Sequence, residues 1–248
     1  FKDQAGTPRL GTAQLNGFFA SKVKLSESSY LGAGLFLGYR QISIEQMDGE
    51  WGSQFDGQIY DATILSGESF DKMRRSSFNS GLGVAYHFES GNKSKIQNNA
   101  KSVDLGFSVY NLNKPKNSFL TDSKDRLSHR YSAFIHSDLG LFGTILSLQP
   151  AVYYHRQGQF QEIVYGTALK LDMKKSGGYV GTMNNLSASI GLYHRWDDAL
   201  ITRIQLELAD FKFGFSYDFN ISSLQTSSRI RGGTELFLAY QIKSKGRR

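Results

Sequence analysis

The chain has 248 residues, a formal charge of +7 from 29 Lys plus Arg against 22 Asp plus Glu, and no cysteine; disulfide frameworks, cysteine-ligated zinc and thiol chemistry are therefore excluded. Mean hydropathy is −0.37 and no run of 18 apolar residues occurs, which excludes a transmembrane helix but not a transmembrane barrel, whose alternation hides its hydrophobicity from a sliding average. The basic residues are scattered rather than gathered on one stripe, which argues against nucleic acid and favours an anionic surface such as lipid head groups or lipopolysaccharide.

Taken in order, the chain alternates large apolar and small or polar residues nearly throughout. A weak strand pattern at 9–24 is followed by the turn signal "LSESS" at 25–29. Segment 30–40 sets Leu31, Ala33, Leu35, Leu37 and Tyr39 against Gly32, Gly34, Phe36, Gly38 and Arg40. The connection 46–77 is long and carries Trp51, Phe55, Tyr60, Ile64 and Phe70; a loop of that length with that apolar content is a partner-binding candidate. Segment 78–88 sets Phe78, Leu82, Val84, Tyr86 and Phe88 against a face that includes His87, and 103–110 sets Val103, Leu105, Phe107 and Val109 against Asp104, Gly106 and Ser108. A weak strand at 128–138 precedes stronger ones at 146–154 and 163–173, the latter with Lys170 and Asp172 on its polar face. "RQGQ" at 156–159 and "WDDA" at 196–199 mark turns around a weak strand at 183–196. Segment 200–208 has Arg203 and Glu207 opposite Ile204 and Leu206. After "ADF" at 209–211, the segment 211–221 is the clearest of all. Phe211, Phe213, Phe215, Tyr217, Phe219 and Ile221 alternate with Lys212, Gly214, Ser216, Asp218 and Asn220. The last segment, 234–242, sets Leu236, Leu238 and Tyr240 against Glu235, Phe237 and Ala239, and the tail holds Lys243, Lys245, Arg247 and Arg248.

This gives an all-β protein of 11 antiparallel strands and no helix. Eleven residues span roughly 36 Å; tilted by about 45° they rise about 26 Å, close to the apolar band of an outer-membrane barrel at roughly 25 Å. A soluble sandwich uses shorter strands, commonly about 5–6 residues. In the strong segments no Lys or Arg is in phase with the oily face. The expectation is therefore a transmembrane barrel. Phe211, Phe213, Phe215, Tyr217, Phe219, Leu236, Leu238 and Tyr240 face lipid; Arg40, His87, Asp104, Lys170, Asp172, Arg203, Glu207, Lys212, Asp218 and Glu235 face the lumen. Short connections (25–29, 139–142, 209–210) alternate with long ones (46–77, 113–127, 222–233), the asymmetry of periplasmic turns and external loops; 90–101 and 174–182 break the scheme.

No metalloprotease motif, Walker A or phosphate loop is present, and "LGAGLFLG" at 31–38 is a strand pattern. No catalytic, cofactor-binding or metal-binding residue is expected. Ser132 and His136 share a strand face, so an outer-membrane hydrolase is a minor alternative; a diffusion pore is the principal one.

The final third, "LSASIGLYHRWDDALITRIQLELADFKFGFSYDFNISSLQTSSRIRGGTELFLAYQI" at 186–242, resembles the C-terminal part of the PorP/SprF family of Bacteroidota outer-membrane proteins. The resemblance lies in "GLYHRWDDAL", "GFSYDFNISSL" and "GGTELFLAYQI", with weaker likeness in "FNSGLGVAYHF", "VDLGFSVYNLNKP" and "LQPAVYYHRQGQFQEIVYGTALKLD". His194, Ile242 and "TEL" depart from the commoner residues. The resemblance implies a non-enzymatic barrel of the type IX secretion or gliding apparatus. Such a barrel anchors or presents a surface protein, or tethers a periplasmic component that links to peptidoglycan. It also implies three further strands before Phe1, 14 in all, so that the chain is expected to be part of a longer protein. One barrel domain at 1–242 and a basic periplasmic tail at 243–248 complete the expectation, with lipid, lipopolysaccharide and other envelope proteins as partners.

Overall fold

The computed structural model describes residues 2–5, 10–44, 51–65, 67, 74–91, 99–119, 124–141, 143–173, 186–223 and 232–241. Among these residues there are twelve strands and one 3-10 turn, Gly52–Gln54. The strands are β1 (Lys2–Ala5), β2 (Leu10–Ser26), β3 (Ser29–Ile44), β4 (Arg74–Ser90), β5 (Lys101–Tyr110) and β6 (Arg130–Gly140). They continue as β7 (Leu146–Gln157), β8 (Phe160–Met173), β9 (Leu186–Arg195), β10 (Ala199–Leu208), β11 (Phe211–Asn220) and β12 (Thr234–Tyr240). They follow one another in a single sheet in chain order, antiparallel at each described pairing. This is an all-β meander, the fold class of an outer-membrane barrel. The eleven expected strands are β2 to β12, and the four-residue β1 precedes them.

Two features differ in detail from the sequence reading. Strands β2, β3 and β4 run 17, 16 and 17 residues, longer than the alternation predicts. β4 begins with the polar "RRSS", where backbone pairing continues although the apolar pattern has stopped, whereas β3 runs on to the buried Ile42 and Ile44. The alternation of short and long connections also lapses. The β7–β8 and β9–β10 links are the tight turns at 158–159 and 196–198, made by Gly158 (φ +61°) and Asp197 (φ +55°).

The chain divides into two compact units. The first comprises Phe1–Ser21, Ala33–Gly83 and Ser108–Tyr131. Its polar face carries an aromatic row: Phe18 lies 5.1 Å from Phe36, and Phe36 meets Tyr110 edge-on at 5.2 Å. Glycines make room for it. A Cβ at Gly38 would meet the Phe36 ring at 2.8 Å, and one at Gly81 would meet Tyr110 at 3.0 Å.

The second unit comprises Lys22–Gly32, Val84–Phe107 and Ser132–Arg248. Its buried residues are small: Ser147, Ala151, Ala168, Ser187 and Ala199, with Tyr193 among them. Tyr193 packs with Ala151 and Ala168, flanked by Tyr153, Val164 and Ile201, and its ring lies over Gly166 and Gly191, where a Cβ would meet it at 2.7 Å. The large apolar side chains are on the opposite face and are exposed: Leu169, Ile190, Leu192, Ile204, Leu206, Phe211, Phe213, Phe215 and Phe219. Register aligns them in rows, Leu169↔Ile190↔Ile204↔Phe215↔Leu236 being one. Burying each such side chain is worth about 1.5–3 kcal/mol. A fold that covers alanine and serine while leaving rows of Phe, Leu and Ile uncovered is built for an apolar medium on that face.

Candidate functional site

The connection between β3 and β4 holds a small structured hairpin within the first unit. Phe55 bridges to Tyr60 around the turn Asp56-Gly57-Gln58-Ile59, where Gly57 has φ +101°. Gln54 is its buried centre. The Gln54 Nε2 donates to the Ile64 carbonyl at 2.9 Å, and its Oε1 accepts from the Trp51 N–H at 3.2 Å and the Tyr60 hydroxyl at 3.5 Å. The Asp61 N–H donates to the Gln54 carbonyl at 2.9 Å.

Two aspartates close the turns. Asp56 Oδ1 accepts from the N–H groups of Ile59 and Gln58, both at 2.8 Å. Those bonds, Ile59 first, hold its carboxyl below the ordinary 3.8. Asp61 Oδ1 accepts from the Thr63 hydroxyl at 2.6 Å and the Thr63 N–H at 2.8 Å. These bonds lower its carboxyl in the same way, the hydroxyl contributing most. Phe55, Ile59, Tyr60, Ile64 and Leu65 are exposed.

A second anchor in this unit is Asn111, 5% exposed with φ +59°, a conformation asparagine adopts more readily than most residues. Its Oδ1 accepts from Asn79 Nδ2 at 2.7 Å, its N–H donates to Asn79 Oδ1 at 3.1 Å, and its Nδ2 donates to the Ser128 carbonyl at 2.9 Å. His129 Nδ1 donates to the Asn111 carbonyl at 3.0 Å. Asn113 Nδ2 reaches the Phe78 carbonyl at 2.8 Å. Of the expected lumenal charges, Arg40 donates to Asn117 Oδ1 at 3.0 Å.

The polar face of the second unit is joined across strands by charge pairs. Glu207 is the hub of one group. It meets Lys170 at 3.2 Å, Lys212 at 3.0 Å, Ser187 at 3.0 Å and Gln205 at 2.9 Å, and Lys170 also faces Asp172 at 3.7 Å. Lys170 on β8 reaches Glu207 on β10 across β9, where its register partner is Ser189 and that of Glu207 is Ser187. Arg195 is the hub of another, with Asp198 at 2.9 Å, Asp218 at 3.0 Å and Glu162 at 3.8 Å. It passes over Ala199 to reach β11. Between the two groups, Arg203 donates to the Tyr193 hydroxyl at 2.7 Å, and its guanidinium lies 4.9 Å from that ring.

His87 Nδ1 is 2.6 Å from Asp104 and its Nε2 is 3.5 Å from Glu89, while His136 is 3.8 Å from Asp104. These residues adjoin a polar hollow of about 450 Å³ lined by Glu27, His87, Glu89, Lys101, Ser102 and Asp138 among others. Ser132 bonds to His155 at 2.9 Å. The serine and histidine that the sequence places on one face are thus not the pair the fold brings together. Among the described residues no group of His, Asp and Glu is arranged to hold a metal ion.

The structure therefore groups Lys170, Asp172, Glu207 and Lys212; joins His87 to Asp104, Arg203 to Tyr193 and Asp218 to Arg195; and leaves Glu235 on the exposed β12 with a 3.4 Å contact from Ser216. Trp51, Phe55 and Tyr60 fall in one hairpin. Phe70, Lys243, Lys245, Arg247 and Arg248 lie outside the described residues. Sequence reasoning missed Gln54, Asn111 and Tyr193. Only Asn111 carried a signal, the turn-forming run "NLNKP".

A family model described as "Type IX secretion system membrane protein PorP/SprF" matches residues 1–240. No curated protein and no solved structure matches the chain.

Proposed function

The chain belongs to the PorP/SprF family of type IX secretion membrane proteins, and from that premise we propose that this outer-membrane protein works as a non-enzymatic scaffold. It holds a surface protein, or a periplasmic component of the type IX or gliding apparatus, in place at the membrane. The observation that carries this reading is the paired charge on the polar face. Glu207 binds cations, and Arg195 anions, from two other strands each, at 3.8 Å or less. Side chains so engaged stiffen a wall and are poorly placed to attack a substrate.

In this reading residues 1–242 are one barrel domain. Phe211, Phe213, Phe215, Tyr217, Phe219, Leu236, Leu238 and Tyr240 meet lipid, including lipopolysaccharide, and the charged set from Arg40 to Glu235 faces inward. The C-terminus and its tail, 243–248, lie in the periplasm. Partners dock on the exposed connections, of which the Trp51–Leu65 hairpin is the best formed. The test is purification of the full chain in mild detergent with identification of what accompanies it. Envelope proteins of the secretion apparatus are expected in stoichiometric amount. Recovery of the chain alone, or a steady open channel in a planar bilayer, overturns the scaffold in favour of a diffusion pore.

A further inference from the structure

The hairpin raises a question of its own, because its exposed apolar groups cannot be explained as those on the strands can. Residues 51–65 contain Asp56 and Asp61 and no Lys, Arg or His, in a chain whose net charge is +7. Irregular backbone with that charge does not enter hydrocarbon. The hairpin therefore stands in water, yet Phe55 is 53% exposed, Ile59 66% and Leu65 89%. Its shape is fixed internally through Gln54, so these side chains are presented at little further entropic cost.

From this we infer that the Trp51–Leu65 hairpin is a docking surface for a protein segment that is both basic and apolar. The inference rests on the scaffold reading and names the chemistry of its partner. Charge selects the occupant. Asp56 and Asp61 flank the Phe55–Tyr60 bridge and keep their charge, whereas lipopolysaccharide and anionic phospholipid would be repelled. Apolar contact supplies affinity, and the carboxylates supply steering and selectivity.

The experiment uses the full chain in detergent and two fluorescent model peptides of equal Leu and Trp content, one carrying Lys and the other Glu. The basic peptide is expected to bind, more weakly as salt rises. Asp56→Asn and Asp61→Asn keep the oxygen that caps each turn and remove the charge. Each is expected to weaken binding roughly threefold, and the pair about tenfold. Phe55→Ser with Ile59→Ser abolishes binding. Equal binding of the two peptides, binding of neither, or a preference for anionic phospholipid vesicles overturns the inference, as does an unchanged affinity in the double Asn variant. The two readings fail separately. If envelope proteins accompany the double Asn variant as well as the parent, the scaffold stands and this surface falls. If nothing accompanies the parent but the basic peptide binds through Asp56 and Asp61, the reverse holds.

Discussion

Asp56 and Asp61 are the residues whose ionisation most directly reports the order of the hairpin. Each accepts two hydrogen bonds that favour its charged form, so each is more acidic folded than unfolded. The sign follows from linkage. Their stabilisation is fully present above the unfolded value of 3.8 and is lost as pH falls through the lower folded values. The chain has two tryptophans, Trp51 and Trp196. In a Trp196→Phe background, Trp51 emission should stay constant from about pH 7 to about pH 4 and change only below that range. A change centred near pH 6 would assign the hairpin's order to other groups. Gln54 matters to the same hairpin and was invisible in the sequence. A glutamine becomes a structural centre only through what surrounds it, and nothing in "WGSQFDG" marks one.

At the scale of the strand, two adjacent positions on β10 separate the faces. Ile204 stands opposite Ile190 and Phe215, and Gln205 stands opposite Ser189 and Gly214. In a bilayer, Ile204→Arg should cost about 2–4 kcal/mol, whereas Gln205→Arg, beside Glu207, should cost less than about 1 kcal/mol. Urea titration of the chain folded into lipid vesicles measures both, and equal costs would refute the assignment of faces. Strands were legible because period two is a local property: Phe211 to Ile221 announces itself, and β11 starts at Phe211 and ends one residue earlier, at Asn220. The weaker patterns at 9–24, 128–138 and 183–196 also became strands β2, β6 and β9. What could not be read was the partner of each charge. Lys170 and Glu207 are 37 positions apart, and only register brings them to 3.2 Å. For the same reason the alternation places Ser132 and His136 on one face, two periods apart, while the fold supplies His155 to Ser132 from the next strand.

At the scale of the whole molecule, the consecutive strands β9, β10 and β11 match a thin membrane, while β2, β3 and β4 run longer. Strands β9, β10 and β11 each have 10 residues, which at a tilt of about 45° rise roughly 23 Å. The yield of protease-resistant, folded chain should therefore fall as the hydrocarbon thickness of the host vesicles is raised from about 25 Å to about 30 Å. A yield indifferent to thickness would mean that the apolar rows do not set the depth of insertion. The family was legible from "GFSYDF" and its neighbours, because those residues combine a spanning pattern with a particular choice of side chains. The hairpin at 51–65 obeys no period and resembles nothing by pattern, because its shape rests on the contacts of Gln54, which no local pattern announces.

The charge pairs that reach over a strand have a mechanical consequence. In a plain meander, adjacent strands part by breaking the hydrogen bonds of one ladder in succession, like a zip. Arg195 on β9 holds Asp218 on β11, and Lys170 on β8 holds Glu207 on β10. Each staple skips a strand, so opening any ladder between β8 and β11 also loads a staple anchored elsewhere. Tension applied at one edge is thereby shared among four strands.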